Sequence, residues 1–196
     1  MFKIILYIKE KIILKTKYIN FLQIKEQFEY LKNIKFEYIT SADDVRLLEI
    51  EKLATDFFGT EEDPSQIQST PETYKHFFNI GGINPIAIDI SANDMIGWGA
   101  AIPTTKDLMN EFLNNNITEA ELFKNTKSGF YDAIYFISVF IKPKYRNFNT
   151  TISLIKKSIE PIYNDNCVVF YDAFSNEGDK IGKFLKDHSK YKIIKK

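Results

Sequence analysis

The stretch VFIKPKYRNFNTTISLIKKSI, Val139 to Ile159, decides the architecture. It opens as an apolar strand and breaks at Pro143. It then resumes with Ile152, Ile155 and Ile159 spaced by three and four, which predicts a helix from about Thr150 to Pro161. Between strand and helix stand Lys144, Arg146, two asparagines and two threonines, where a tight turn would ordinarily use glycine. A strand that turns sharply into a helix aims unpaired backbone N–H groups and the positive end of the helix dipole at one point. That point suits a phosphate, and Lys144 and Arg146 add charge to it. Asn149 is the best non-glycine residue for a positive φ there. Thr151 is the misfit, unless its hydroxyl bonds a phosphate oxygen or caps the helix.

Outward from this joint, strands and helices alternate. DAIYFISVFI, Asp132 to Ile141, is apolar on both faces, as a strand covered on two sides must be. CVVFYDAF from Cys167 is a second such strand, NEGDKIGKFLKDH a helix, and YKIIK a final edge strand. Toward the amino end, IKFEYIT from Ile34 alternates as a strand. SADDVRLLEIEKLATDFFG is a helix with a capping-box start at Ser41 and Asp44, a stop at Gly59, and a core stripe of Val45, Leu48, Leu53 and Phe57. Thr70 and Pro71 begin a short helix. PIAIDIS and MIGWGAAIP form a hairpin turned by Ala92-Asn93-Asp94. Gly97 and Gly99 beside Trp98 leave one face bare, either for close approach of a ligand or for a helix packed on the sheet. Two short helices divided by Asn114–Asn116 lie within 106–128. The order is β-α-α-β-β-(insert)-β-α-β-α-β, a mixed α/β (α+β) sheet flanked by helices.

Composition narrows the function. The 196 residues carry 26 basic and 26 acidic side chains, so no global field draws nucleic acid or an acidic membrane. Met1 to Lys35 holds eight Lys against three Glu, 8 − 3 = +5, balanced by about −5 downstream. This segment has apolar residues at roughly helical spacing and reads as an appendage, residues 1–33, ahead of a domain over 34–196. The readings open to it are a packing appendage, a dimer arm and a peripheral membrane anchor. Lys9, Glu10 and Lys11 interrupt its apolar run, which argues against an export signal, and no run reaches the roughly 20 residues of a spanning helix. The single cysteine, Cys167, sits in an apolar run and fits a buried thiol in a reducing, cytoplasmic setting. His76 and His188 are isolated, so no metal site is expected.

SVFIKPKYRNFNTT resembles the acyl-coenzyme A signature of the GCN5-related N-acetyltransferase (GNAT) family, a hydrophobic strand ending in x-P-x-x-R and a turn into a helix. The family writes the turn R/Q-x-x-G-x-G/A, and here Asn149 and Thr151 stand at the small positions. MIGWGAAI is similar to the family's third strand and FSNEGDKIGKFL to its Asn-led helix after the fifth, so the resemblance covers about Ile34 to Ile194. It implies a GNAT-like, mostly antiparallel sheet and transfer of an acetyl group from acetyl-CoA to a primary amine of a small molecule or protein. The alternative it leaves open is a fold relative that binds acyl-CoA or a partner without turnover.

The resemblance also implies site residues. Coenzyme contacts would come from Val139, Ile141, Lys144, Tyr145, Arg146, Asn147, Phe148, Asn149, Thr150, Thr151 and Asn176. A general base lies near the start of the fourth strand in the family, where Asp132 stands. The leaving-group acid is frequently a Tyr on the last helix; Phe184 occupies that place, leaving Tyr171 and Tyr191 as substitutes. The acceptor would lie near the loop carrying Glu61, Glu62 and Asp63, whose charge favours a cationic amine.

Overall fold

The computed structural model describes residues 33–58, 63–173 and 175–196. The expected amino-terminal appendage, apart from Asn33, lies outside the described residues, as do Gly59, Glu61 and Glu62. The elements are β1 (Ile34–Ile39), α1 (Arg46–Phe58), α2 (Pro71–Asn79), β2 (Asn84–Asp89), β3 (Asp94–Thr104), α3 (Lys106–Leu113), α4 (Glu119–Asn125), β4 (Ala133–Ile141), α5 (Phe148–Ile159), β5 (Val168–Tyr171), α6 (Asn176–His188) and β6 (Ile193–Lys195).

Six strands form one sheet in the order β1-β2-β3-β4-β5-β6. Pairing is antiparallel from β1 to β4. It is parallel from β4 to β6, because α5 and α6 carry the chain back to the same end each time. The expected hairpin is β2–β3, and Asn93 supplies the positive φ of its turn at 49°. The fold is thus the mixed, mostly antiparallel sheet flanked by helices that the sequence predicts.

Strand alternation assigns the layers. Ile102, Tyr135 and Phe170 point to one face, where Phe77, Met109, Phe112, Leu122 and Phe123 of α2, α3 and α4 cover them. Their neighbours Ala101, Ile134 and Val169 point to the other, beneath Ile155 and Ile159 of α5 and Leu185 of α6. Cys167 is fully buried in that second cluster.

Two local expectations need correction. In α1 the residues facing the sheet are Leu47, Ile50 and Ala54, packed on Ile39, Ile86, Trp98 and Phe140. Val45 and Leu48 are exposed at 77% and 70%; of the predicted stripe Leu53 packs against the core, and Phe57, though half exposed, lays its ring on that of Phe140 at 4.7 Å. Both sets satisfy the helical period, and the docking angle decides between them. Ser41 does not box the helix: its hydroxyl accepts from the Asp43 amide, while Asp44 Oδ1 accepts from the Arg46 amide at 3.0 Å.

The glycines beside Trp98 serve close packing, Gly99 against a helix and Gly97 against the neighbouring strand. A Cβ on Gly99 would collide with Ser158 Oγ of α5, and one on Gly97 with the Phe140 carbonyl oxygen. The missing side chain at Gly99 lets α5 lie close on the sheet, and that at Gly97 gives room to the end of β4.

Candidate active site

The parallel pair β4–β5 is short. It runs through Ala133↔Val168, Ile134↔Val169 and Tyr135↔Phe170 and then stops, although β4 continues to Ile141. A register shift helps to part the strands. Ala100 faces Ser138 and Ala101 faces Phe136, so Ile137 is the extra residue of a bulge in β4. A cavity of about 610 Å³ fills the opening and passes from one face of the sheet to the other. Ile155, Ile159, Gly178 and Gly182 wall it on the α5–α6 side; Tyr74, Phe77, Phe78 and Trp98 wall it on the α1–α2 side. Its size falls in the usual range of small-molecule sites, roughly 300–1,000 Å³.

The joint after β4 contributes no residue to the wall of this cavity, which takes Val139 from β4 and next Ile155 from α5. Lys142 is fixed between Glu49 and Asp94, each at 2.8 Å, and Pro143–Tyr145 form a single 3-10 turn. Arg146 Nε donates to the Ile141 carbonyl at 3.2 Å, Arg146 and Lys144 are exposed, and the Lys144 ammonium lies 4.5 Å from the centre of the Tyr145 ring. Asn147 is the N-cap of α5: its Oδ1 accepts from the Thr150 amide at 2.8 Å. Asn149 is therefore a first-turn helical residue, and the positive φ expected of it is absent: among the described non-glycine residues only Asn93 and Asn115 have one. Thr151 fits because its hydroxyl donates to the Asn147 carbonyl at 2.9 Å, which binds it to the helix's own backbone. The cap leaves the amides of residues 148 and 149 without a helical acceptor. Thr150 Oγ1 is fully buried with no hydrogen-bond partner among the described residues.

The other predicted residues scatter. Val139 lines the cavity, and Ile141 packs with Leu154 on the α5 side. Tyr171 also lines it, with its hydroxyl against Gly182 and its acidity weakened mainly by burial. Asn176 is exposed in the first turn of α6, next to Ser175, which caps that helix through the Gly178 amide at 3.0 Å. Asp132 stands outside the cavity wall. Its Oδ1 accepts from the Lys106 amide at 2.7 Å and its Oδ2 lies 3.6 Å from Lys106 Nζ, at the start of α3. Tyr191 is buried in the α5–α6 cluster, donates to Glu160 at 3.4 Å, and is also absent from the wall. Asp63 organises its own loop by accepting from Ser65 and Gln66.

Sequence reasoning missed Glu119. It opens α4 and reaches into the cavity wall, where Oε1 accepts from the Tyr135 hydroxyl at 2.6 Å and Oε2 from the Ile67 amide at 3.2 Å. Burial raises its carboxyl above the ordinary 4.5, outweighing the lowering by those two donors. Burial also pushes the Tyr135 hydroxyl well above its ordinary range. The one usable signal was the capping box of Thr118 and Glu121, which fixes Glu119 at the first helical position.

Among solved structures, the chain is similar to Arabidopsis thaliana NAA60 in complex with acetyl-CoA. That likeness has a TM-score of 0.52 and 18% identity and covers 78% of this chain and 85% of that one. It is also similar to a ribosomal-protein-alanine N-acetyltransferase from Brucella melitensis biovar Abortus, with a TM-score of 0.47, 10% identity, and 78% and 90% of the two chains covered. A third likeness is to an aminoglycoside acetyltransferase from an uncultured soil metagenomic sample, with a TM-score of 0.46, 15% identity, and 82% and 94% covered. No protein-family model and no curated protein sequence matches the chain. The fold is that of the GCN5-related N-acetyltransferases.

Proposed function

We propose that this protein is an acetyl-CoA-dependent N-acetyltransferase that moves the acetyl group to a primary amine by direct attack. The observation that carries the reading is the parting of β4 and β5 after three residue pairs around a cavity open to both faces of the sheet. β5 stops pairing with β4 at Tyr135, so from Phe136 to Val139 that side of β4 faces no strand, and an amide-bearing arm would pair there. The diphosphate end would meet the start of α5, at the amides of 148 and 149 with Lys144 and Arg146 beside them. Val139, Ile141, Tyr145, Asn147, Asn149 and Thr151 complete that side, with Asn176 across the cleft on α6.

The acceptor would enter from the α1–α2 side. Its neutral nitrogen attacks the thioester carbonyl, a C–N bond forms and the C–S bond breaks, leaving sulfur in need of a proton. Tyr171 is the proposed donor in place of Tyr191, because it lines the cavity and burial keeps its hydroxyl protonated at neutral pH. Asp132, outside the wall and bonded to Lys106, is left to hold the start of α3. A cytoplasmic setting fits the lone, buried thiol of Cys167. Among the described residues, no helix is long and apolar enough to cross a membrane.

A second reading, acyl-CoA binding without turnover, is favoured by Phe184, which has no proton to give where a tyrosine is frequent in the family. A thiol-release assay separates them, using acetyl-CoA with a diamine, free lysine and a peptide with a free amino terminus. Release that requires both protein and amine is the expected result. Thermal stabilisation by acetyl-CoA without release supports the binder, and neither effect at millimolar ligand counts against both.

A further inference from the structure

Glu119 and Asp172 are the carboxylates among the described residues of the cavity wall. Both, with Gln66, also line a second cavity of about 320 Å³, so Glu119 stands at the junction of the two. It is held from two directions. The Tyr135 hydroxyl of β4 bonds Oε1 and the Ile67 amide of the loop before α2 bonds Oε2, so each oxygen keeps a lone pair beyond these donors. It comes from α4, on the face of the sheet opposite α5 and α6, which is the acceptor's side in the reading above.

On that acyl-transfer reading, we infer that Glu119 accepts the proton released by the attacking amine and that Tyr135 positions its carboxylate. As the nitrogen lone pair forms the C–N bond, the C–S pair departs to sulfur. The N–H proton passes to a Glu119 oxygen, and sulfur takes a proton from Tyr171, which recovers one from solvent. A base works best when its pKa approaches the working pH, and the raised value of Glu119 moves it that way. The groups that set this value are Tyr135 from β4, Asp172 after β5, and Lys196 beyond β6, with Asp63 and Glu121 lining the adjoining cavity. Burial raises it most and Asp172 adds to that, while Tyr135, the Ile67 amide and Lys196 lower it.

The test combines the pH dependence of kcat/KM for thiol release with a 13C NMR titration of the glutamate carboxyls in the full chain. Glu119→Gln keeps the shape: its amide oxygen accepts from the Ile67 N–H while its amide N–H donates to the Tyr135 hydroxyl, so the fold and acetyl-CoA stabilisation are retained. Its kcat falls by about 100-fold or more, the scale of a lost general base. Wild type shows a limb rising with pH at the value at which Glu119 titrates, above the ordinary carboxylate range. Glu119→Gln loses that limb, and Tyr135→Phe moves it to higher pH by removing a donor. A purely structural role would lower the stability of both variants and leave the limb in place. Wild type that turns over while Glu119→Gln keeps the limb, or a Glu119 that titrates in the ordinary range, overturns this assignment alone. Wild type that neither binds acetyl-CoA nor releases thiol, or binds it without release, overturns the acyl-transfer reading and this step with it.

Discussion

At Gly182 the absence of a side chain sets the shape of the cleft. A Cβ there would overlap the hydroxyl end of Tyr171, so the glycine makes room for the tip of the tyrosine against α6. Gly182→Ala is expected to cost about 1–3 kcal/mol in urea unfolding, as overpacking does, and Tyr171→Ala in the same chain should return most of it. Asn147 gives a second residue-scale expectation. Asn147→Ala removes the Thr150 cap and should cost about 1 kcal/mol, while Asn149→Ala, exposed and without a capping bond, should be nearly neutral. The sequence marked both asparagines as unusual but could not say which one turns the chain. Positive φ and N-capping are alternative uses of the same side chain, and the choice depends on where α5 begins, two residues earlier than its isoleucine spacing implies.

At the scale of elements, the start of α1 rests on charge. Arg46 Nη2 pairs with Asp44 and Nη1 with Glu37, and the Asp44 carboxyl is held below its ordinary 3.8 chiefly by the Arg46 guanidinium. A carboxyl with a lowered folded value stabilises above its unfolded pKa and loses that contribution as pH falls through the folded one. The difference in melting temperature between wild type and Asp44→Asn should therefore be full at pH 5 and shrink steadily toward pH 2. Glu119 has the opposite sign. Its folded value is raised, so its contribution is present below 4.5 and is lost as pH rises through the folded value. Glu119→Gln should accordingly gain stability relative to wild type between pH 4 and 7, read by chemical unfolding at each pH. Helix existence at α1 was legible from its period. Its buried face was not, because Leu47, Ile50 and Ala54 and the exposed Val45 and Leu48 both follow helical steps. Asp132 and Glu119 show the same limit in the site: an acidic residue at an element's start reads alike whether it caps a helix or enters a cavity.

At the scale of the molecule, the order of elements along the chain followed from the runs of apolar residues and from Pro143, which ends β4; the order of strands in the sheet is seen only in the structure. So is the cleft, since it arises from how few residues β5 pairs with β4 and from the bulge at Ile137, both properties of register. Gly97 and Gly99 were legible as special positions, and only the packed structure shows that Gly99 admits α5 while Gly97 admits the end of β4. The cleft is the central claim, and calorimetric titration of acetyl-CoA into wild type and Gly178→Trp tests it most directly. Gly178 lines the cavity, and a Cβ there meets only ordinary contacts, so the indole would fill space while the helix is kept. Saturable binding of one acetyl-CoA per chain by wild type, lost in a folded Gly178→Trp, is the predicted result. No binding heat for wild type at millimolar ligand, or undiminished binding by the filled variant, would contradict it.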